Sequence, residues 1–183
     1  VPISMSALSG STVKDNGIHS FQDLSGYVPN LSIQENAVNS IITMRGIGIG
    51  SNQSFEQSVG IYVDGVHFGK SRQVRTGLFD IEQLEVLRGP QGILFGKNTL
   101  AGAINVTTAS ADVGDETSGR LDVTQESFNG QIIDAHLQGS VTDNLAVRFA
   151  LRDRTRDGHI KNTMPGASTD NMATTDEQMW RLS

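Results

Sequence analysis

The sequence predicts an α+β fold that is followed by a run of antiparallel strands. Glycine is abundant, at 20 of 183 residues, and aromatic residues make up only 5%, a composition more typical of turn-rich proteins than of helical bundles. Short β-prone runs alternate with glycine-rich connections up to residue 108, and polar and apolar side chains alternate strictly after residue 117. We therefore expect a compact domain at 1–108, a linker at 109–117 and strands at 118–183.

The first domain is predicted to combine short strands with two helices. The β-prone runs lie at residues 3–8, 31–34, 41–44, 59–63, 84–87 and 103–107. One helix should begin at Ser20, whose hydroxyl can cap the free amides of the first turn, and end before Pro29. A second, shorter helix is predicted over 78–83.

Residues 109–117 are small and acidic and have no periodicity, which is typical of a linker. Beyond them, one face of the segment 145–154 is apolar and the other is rich in arginine. The segment 133–140 also alternates between polar and apolar residues, and the segment 119–128 does so more weakly. A fourth strand is predicted over 177–182, after a polar loop at 159–175. Asn129-Gly130 and the residues 142–144 are typical of hairpin turns.

These alternating runs are near the roughly 9–11 residues that a tilted strand needs to cross a bilayer. A soluble β-sandwich gives the same pattern, with its apolar face on a core. The pattern alone leaves both interpretations open.

Composition argues against several classes of protein. The formal net charge is −6 and the cationic residues are scattered, so nucleic-acid binding is not expected. The chain has no cysteine, which removes thiol catalysis, thiolate metal sites and disulfides. No apolar run approaches the roughly 20 residues of a membrane helix. The opening residues Val1-Pro2-Ile3-Ser4 are not typical of a signal peptide and read as the middle of a longer chain.

Motifs for nucleotides, metals and catalysis also fail. A phosphate-binding loop ending in Gly69-Lys70-Ser71 would need glycine at position 64, which is Asp64. The glycines at 46, 48 and 50 resemble a dinucleotide fingerprint, but its last glycine would fall at Ser51. The four histidines, at positions 19, 67, 136 and 159, lack metal-ligand spacing. We therefore expect no enzyme activity, no cofactor and no metal site.

Three blocks carry a more specific signal. They are ITMRGIG at 42–48, VGIYVDGV at 59–66 and IEQLEVLRGPQGILFGKNTLAGAINVTT at 81–108. Their order and spacing resemble the plug domain of TonB-dependent receptors. The glycine and turn positions of the motif are Gly46, Gly89, Pro90, Gly92, Gly96 and Gly102. Two mild departures are Phe95, where the family commonly has tyrosine, and Ala103, where it often has a second glycine.

The resemblance implies a plug inside a 22-stranded outer-membrane barrel, of which residues 118–183 would be the first strands. It also implies that Arg45 and Arg88 pair with glutamates on the barrel wall and hold the plug in place. An internal salt bridge or a helix-end contact is the alternative for both arginines. The loops 46–57 and 66–75 are the candidate ligand-facing apices. Their candidate residues are Asn52, Gln53, Phe55, His67 and Arg72.

The family resemblance further implies energised uptake of a scarce nutrient, such as a ferric siderophore. The periplasmic protein TonB would engage a box upstream of Val1, absent from this sequence. The alternative function is a free-standing periplasmic interaction or signalling module with a plug-like fold. We expect the full receptor in the outer membrane and the isolated chain in water, because three or four strands leave open edges.

Overall fold

The computed structural model describes residues 4–36, 39–48, 50, 57–163 and 171–183. The chain divides into two compact units, Val1–Ala109 and Ser110–Ser183, which we call the N-terminal and C-terminal units. The predicted architecture, a mixed sheet with short helices followed by antiparallel strands, is confirmed.

Short strands dominate the N-terminal unit. They are β1 (Ser4–Ser9), β2 (Leu31–Glu35), β3 (Ser40–Met44), β4 (Val59–Val63), β5 (Val66–His67), β6 (Ile81–Arg88) and β7 (Gly102–Thr108). Five of them form one sheet in the order β1-β6-β7-β4-β5, in which β4 and β7 are parallel and the other neighbours antiparallel. Strands β2 and β3 form a separate antiparallel pair.

The register of the sheet separates a core face from a second face. Leu84, Val86, Ile104 and Ile61 share the core face, where each is at most 1% exposed. The segments 13–33 and 42–44 add further buried apolar side chains to the same cluster. On the second face a smaller cluster contains Tyr62, Leu87 and Ala103, against which Phe95 packs. The core therefore lies on one side of the sheet, and the second face is only partly covered.

The first predicted helix is shorter than expected. Ser20 does cap the turn, because its Oγ accepts a hydrogen bond from the Asp23 amide (3.3 Å) and Asp23 Oδ2 accepts one from the Ser20 amide (2.8 Å). The element that follows is one turn of 3-10 helix, Asp23–Gly26. Reciprocal capping stabilises the turn, but Gly26 and Pro29 disfavour the continuation of a helix beyond it.

The second predicted helix, over 78–83, is wrong. Strand β6 begins at Ile81, pairs with β1 on one side and β7 on the other, and places Leu84 and Val86 in the core. Helices form instead at α1 (Gly10–Asp15), at α2 (Gly92–Phe95) and, as 3-10 helix, at Ser71–Arg75. Pairing on both edges outweighs the weak local preference of the 78–83 segment.

The C-terminal unit contains a four-stranded antiparallel sheet, in the order Thr175–Leu182, Leu145–Arg156, Gly130–Thr142 and Ser118–Glu126. Its strands are β8 (Ser118–Glu126), β9 (Gly130–Thr142), β10 (Leu145–Arg156) and β13 (Thr175–Leu182), and a short pair is formed by β11 (Ile160–Lys161) and β12 (Asn171–Met172). Both predicted hairpins are confirmed. Positive φ angles at Phe128 (60°) and Asn129 (51°) make the first reversal. The polar loop predicted at 159–175 is partly a two-stranded ladder, and residues 164–170 within it lie outside the described residues.

Candidate functional site

The two predicted arginines converge on one turn of the N-terminal unit. Arg45 directly follows β3 and adopts a positive φ of 51°. Its amide donates to the carbonyl of Asn30 at 2.8 Å. Its Nη1 lies 3.6 Å from the position that a Cβ on Gly89 would take, so the guanidinium covers the residue next to Arg88. Gly89 itself has a φ of 98°, which a residue with a side chain rarely adopts.

Arg88 is the last residue of β6 and reaches the same turn. Its Nη1 donates to the carbonyl of Pro29 at 3.4 Å, and its Nη2 donates to Ser6 Oγ at 2.8 Å. Its Nε is buried and has no hydrogen-bond partner among the described residues. We call Ser6, Pro29, Asn30, Arg45, Arg88 and Gly89 the arginine corner.

In the described part of the chain neither guanidinium of this corner contacts a carboxylate: that of Arg88 donates to Ser6 and Pro29, and that of Arg45 lies against Gly89. Described ion pairs join Arg120 to Asp122, Arg152 to Asp134 and Arg154 to Glu126, all in the C-terminal unit. The internal salt bridge considered as the alternative role for Arg45 and Arg88 is therefore not formed with any described carboxylate. A guanidinium has five N–H donors, so one that contacts no carboxylate can still donate hydrogen bonds to a carboxylate that approaches it.

Close approach of backbones, rather than a turn, explains Gly102. A Cβ there would lie 2.2 Å from Met44 Sδ and 2.3 Å from the Leu87 carbonyl oxygen, closer than any real contact. Gly46, like Gly89 and Gly96, has a positive φ. Gly92 opens α2 with free space around it, and Pro90 is exposed.

The candidate ligand-facing residues are distributed differently. Asn52, Gln53 and Phe55 lie outside the described residues. Arg72 is exposed in the 3-10 helix, whereas His67 is half-buried beside Tyr62, with ring centroids 5.0 Å apart.

Tyr62 connects His67 to α2. Its ring lies 4.8 Å from that of Phe95, and its hydroxyl donates to the Phe95 carbonyl at 2.5 Å. Burial raises the pKa of the Tyr62 hydroxyl, so it stays a proton donor. The sequence contained no signal for this aromatic cluster, because its members are brought together by pairing of β4 with β5 and by the position of α2.

Asp64, which excluded a phosphate-binding loop, has a structural role instead. Asp64-Gly65 forms the two-residue turn between β4 and β5, with φ angles of 49° and 77°. The carboxylate accepts hydrogen bonds from the Thr108 amide (2.8 Å) and from Thr108 Oγ1 (2.6 Å). It thereby fixes the last residue of β7.

The faces of the C-terminal sheet differ in chemistry. One face holds two bidentate ion pairs: Arg152 contacts Asp134 at 2.6 and 3.0 Å, and Arg154 contacts Glu126 at 3.1 Å through both oxygens. The opposite face exposes apolar side chains. They are Leu121, Val123, Leu137, Phe149, Trp180 and Leu182.

In the described ranges, no group of three or more histidine, aspartate or glutamate side chains could hold a metal ion. None of the helices described here is long and apolar enough to cross a membrane.

Comparison with known proteins agrees with this geometry. The chain is 33% identical over 150 residues to the pesticin receptors of Yersinia pestis and Yersinia enterocolitica, which covers 76% of this chain and 22% of theirs. It is 27% identical over 156 residues to the catecholate siderophore receptor Fiu of Escherichia coli, covering 75% of this chain and 19% of that protein. The chain thus spans about a fifth of the length of these curated relatives.

A solved structure is also similar. The ferric yersiniabactin uptake receptor FyuA from Yersinia pestis superposes with a TM-score of 0.85 at 29% identity, over 98% of this chain and 28% of that one. Residues 1–103 match the TonB-dependent Receptor Plug Domain family. That match covers more than half of the chain, and we conclude that the chain belongs to the TonB-dependent receptor plug family.

Proposed function

We propose that this chain is the plug and the first wall strands of an outer-membrane receptor that takes up a ferric siderophore with energy supplied through TonB. The family match over residues 1–103 carries the proposal. The names of similar receptors, for ferric yersiniabactin and for catecholate siderophores, support the ligand class. In this proposal the plug is 1–108, the linker 109–117 and the wall 118–183.

The wall assignment is supported by the faces of the C-terminal sheet. One face of this sheet is apolar and exposed and the other carries paired charges, as expected for barrel strands with lipid on one side and polar groups on the other. Strands β8 to β10 have 9, 13 and 12 residues, enough for a tilted crossing. The chain alone should not insert, because lipid cannot satisfy the open edges at β8 and β13. A stably inserted monomer in liposome flotation would contradict this expectation.

The gating role belongs to the arginine corner. The Arg88 guanidinium has only neutral partners here and that of Arg45 lies against Gly89, so each can bind a carboxylate from a part of the receptor wall beyond this chain. Breaking a buried ion pair from one side costs about 3–5 kcal/mol. Arg45→Ala with Arg88→Ala should therefore loosen the plug while leaving external ligand binding intact.

Antibiotic leakage through the full receptor measures this loosening. The exposed plug cation Lys97 provides the control, because Lys97→Ala removes a charge outside the corner. Leakage and transport that are unchanged in the double variant would show that the corner does not hold the plug.

Ligand recognition is assigned to the loops 46–57 and 66–75, with Asn52, Gln53, Phe55, His67 and Arg72 as contacts. His67→Ala together with Arg72→Ala should weaken binding of a ferric siderophore without increasing leakage. Fluorescence quenching by a panel of ferric hydroxamate, catecholate and thiazoline siderophores identifies the ligand class. Equal affinity of the double variant and the parent for the best ligand would remove these two residues from the site.

TonB is expected to bind a segment upstream of Val1 by strand addition. Calorimetry with the C-terminal domain of TonB should detect no binding to residues 1–183, weak binding once native upstream residues are added, and tighter binding to the ligand-loaded full receptor. Ligand and TonB would then favour the same plug state, and linkage makes the effect reciprocal. Equal binding with and without the upstream residues would place the contact inside this chain.

A further inference from the structure

Arg88 is held by two segments far from it in sequence. Its Nη2 donates to Ser6 Oγ of β1 at 2.8 Å, and its Nη1 reaches the Pro29 carbonyl at the longer distance of 3.4 Å. Since the buried Nε has no described partner, Ser6 provides the shortest hydrogen bond that the guanidinium makes in the described part of the chain. Hydrogen bonds to a charged group are among the stronger ones, so this contact contributes substantially to where the guanidinium lies.

Of the two strands that pair with β6, β1 is held by fewer contacts than β7. It lies at the edge of the sheet and pairs with β6 from Ser4↔Arg88 to Ser9↔Gln83. Leu8 packs against the core, but Met5 and Ala7 are exposed. Edge segments with few buried apolar contacts open at a lower free energy than the centre of a sheet. The register places Ser6 opposite Val86, on the face that also carries Arg88.

We propose that Ser6 is a positioning residue for Arg88, so that displacing β1 from β6 releases the Arg88 guanidinium from its holding geometry. The inference rests on the proposed gating role of Arg88. Because Ser6 holds the Arg88 guanidinium, movement of β1 changes the position of that guanidinium at the C-terminal end of β6. Detachment of β1 from β6 thereby weakens the contact through which Arg88 holds the plug.

Substitutions at Ser6 test the hydrogen bond in the full receptor. Ser6→Ala should raise antibiotic leakage about tenfold, the effect of losing one hydrogen bond to a charged group. Ser6→Thr keeps the hydroxyl and should restore the parent value. Ser4→Ala is the matched control, because Ser4 lies in the same strand and on the same face.

The double variant separates positioning from general stability. In an Arg88→Ala background, Ser6→Ala should add no leakage, because the group that it positions is already gone. If Ser6→Ala raises leakage further in the Arg88→Ala background, the inference is overturned and the gating proposal stays intact. The same holds if Arg88→Ala alone raises leakage and Ser6→Ala alone does not. No effect of Arg88→Ala alone overturns the gating proposal, and the inference falls with it.

A disulfide tests whether β1 must move. The chain has no cysteine, and Ala7 faces Glu85 in the antiparallel register, where neighbouring Cα atoms lie within disulfide range. Oxidised Ala7→Cys with Glu85→Cys should abolish uptake of ferric siderophore and leave surface binding intact, and a reductant should restore uptake.

The control disulfide joins Ser32→Cys and Thr43→Cys, which face each other in the β2–β3 pair. It should leave uptake unchanged in either redox state, as should each single cysteine variant. Unimpaired uptake by the oxidised Ala7–Glu85 variant would show that β1 stays on β6 during transport and would overturn the inference.

Discussion

The sheets of the two units differ in the exposure of their apolar side chains, which are buried in the N-terminal unit and exposed in the C-terminal unit. In the N-terminal unit, Leu84 and Ile104 are 0% exposed, on a face covered by the rest of that unit. In the C-terminal unit, Leu137 is 58% and Trp180 73% exposed, whereas Arg152 is only 7% exposed. Both sheets follow the same alternation of side chains along their strands.

The difference shows which solvent each sheet is suited to. Burying apolar area stabilises the first unit in water, at about 25 cal/mol per Å². The second sheet leaves that area outside and instead largely buries the guanidinium groups of Arg152 and Arg154, whose hydrogen bonds are accepted by carboxylates. The N-terminal unit therefore keeps its apolar side chains in a core, whereas the C-terminal sheet presents them on an exposed face.

The charged face should carry the largest single effect. Asp134→Ala removes the carboxylate that contacts Arg152 through both oxygens, and it should cost about 3–5 kcal/mol of unfolding free energy. Trp180, the only tryptophan, reports unfolding of this unit by fluorescence during urea titration. The control is Arg120→Ala in an exposed pair, where about 0–1 kcal/mol is expected. Equal costs would remove burial as the reason for the difference.

Paired leucine truncations test the apolar faces directly. Leu84→Ala in the core should lower the unfolding free energy by about 2–5 kcal/mol. Leu137→Ala on the exposed face should change it by less than about 0.5 kcal/mol in water. Both tyrosines, Tyr27 and Tyr62, lie in the N-terminal unit, so near-ultraviolet circular dichroism separates its unfolding from the Trp180 signal. A large loss for Leu137→Ala would mean that its face is covered.

Backbone packing in the N-terminal unit should respond to a single methyl group. Gly102→Ala places a Cβ against Met44 Sδ and the Leu87 carbonyl, and overpacking of this kind costs about 1–3 kcal/mol. Gly92→Ala, with open space around it, is the matched control and should be neutral. Thermal unfolding followed by circular dichroism measures both. Neutrality of both variants would show that β7 shifts freely against β3.

The smallest effect is expected at the Asp64–Thr108 contact. Asp64→Asn keeps a residue that tolerates the turn conformation but weakens the acceptors of the Thr108 amide and hydroxyl, for a loss of about 1 kcal/mol. In a Thr108→Val background the loss should shrink, because the hydroxyl bond is already absent. Hydrogen exchange at the Thr108 amide provides the direct measurement, and unchanged protection in Asp64→Asn would contradict this role.

Local sequence determined the strands, the hairpins and the family. Alternation with a period of two, together with turn residues at Asn129-Gly130, predicts β8 to β10 because strand faces and tight reversals depend on neighbouring residues. The motif glycines pointed to the plug, since close backbone contacts such as that of Gly102 exclude every larger residue. Arg45 and Arg88 were likewise singled out by the resemblance of these motifs to the plug family.

Tertiary structure alone decided how these elements combine. Residues 78–83 look helical in isolation, but pairing with β1 and β7 makes a strand from Ile81 onward. The contact of Arg88 with Ser6 spans 82 positions of sequence, and that with Pro29 spans 59. Nothing local to Arg88 encodes these partners, because strand pairing and chain reversal bring them together only after non-local contacts have formed. The arginine corner is therefore a property of the fold.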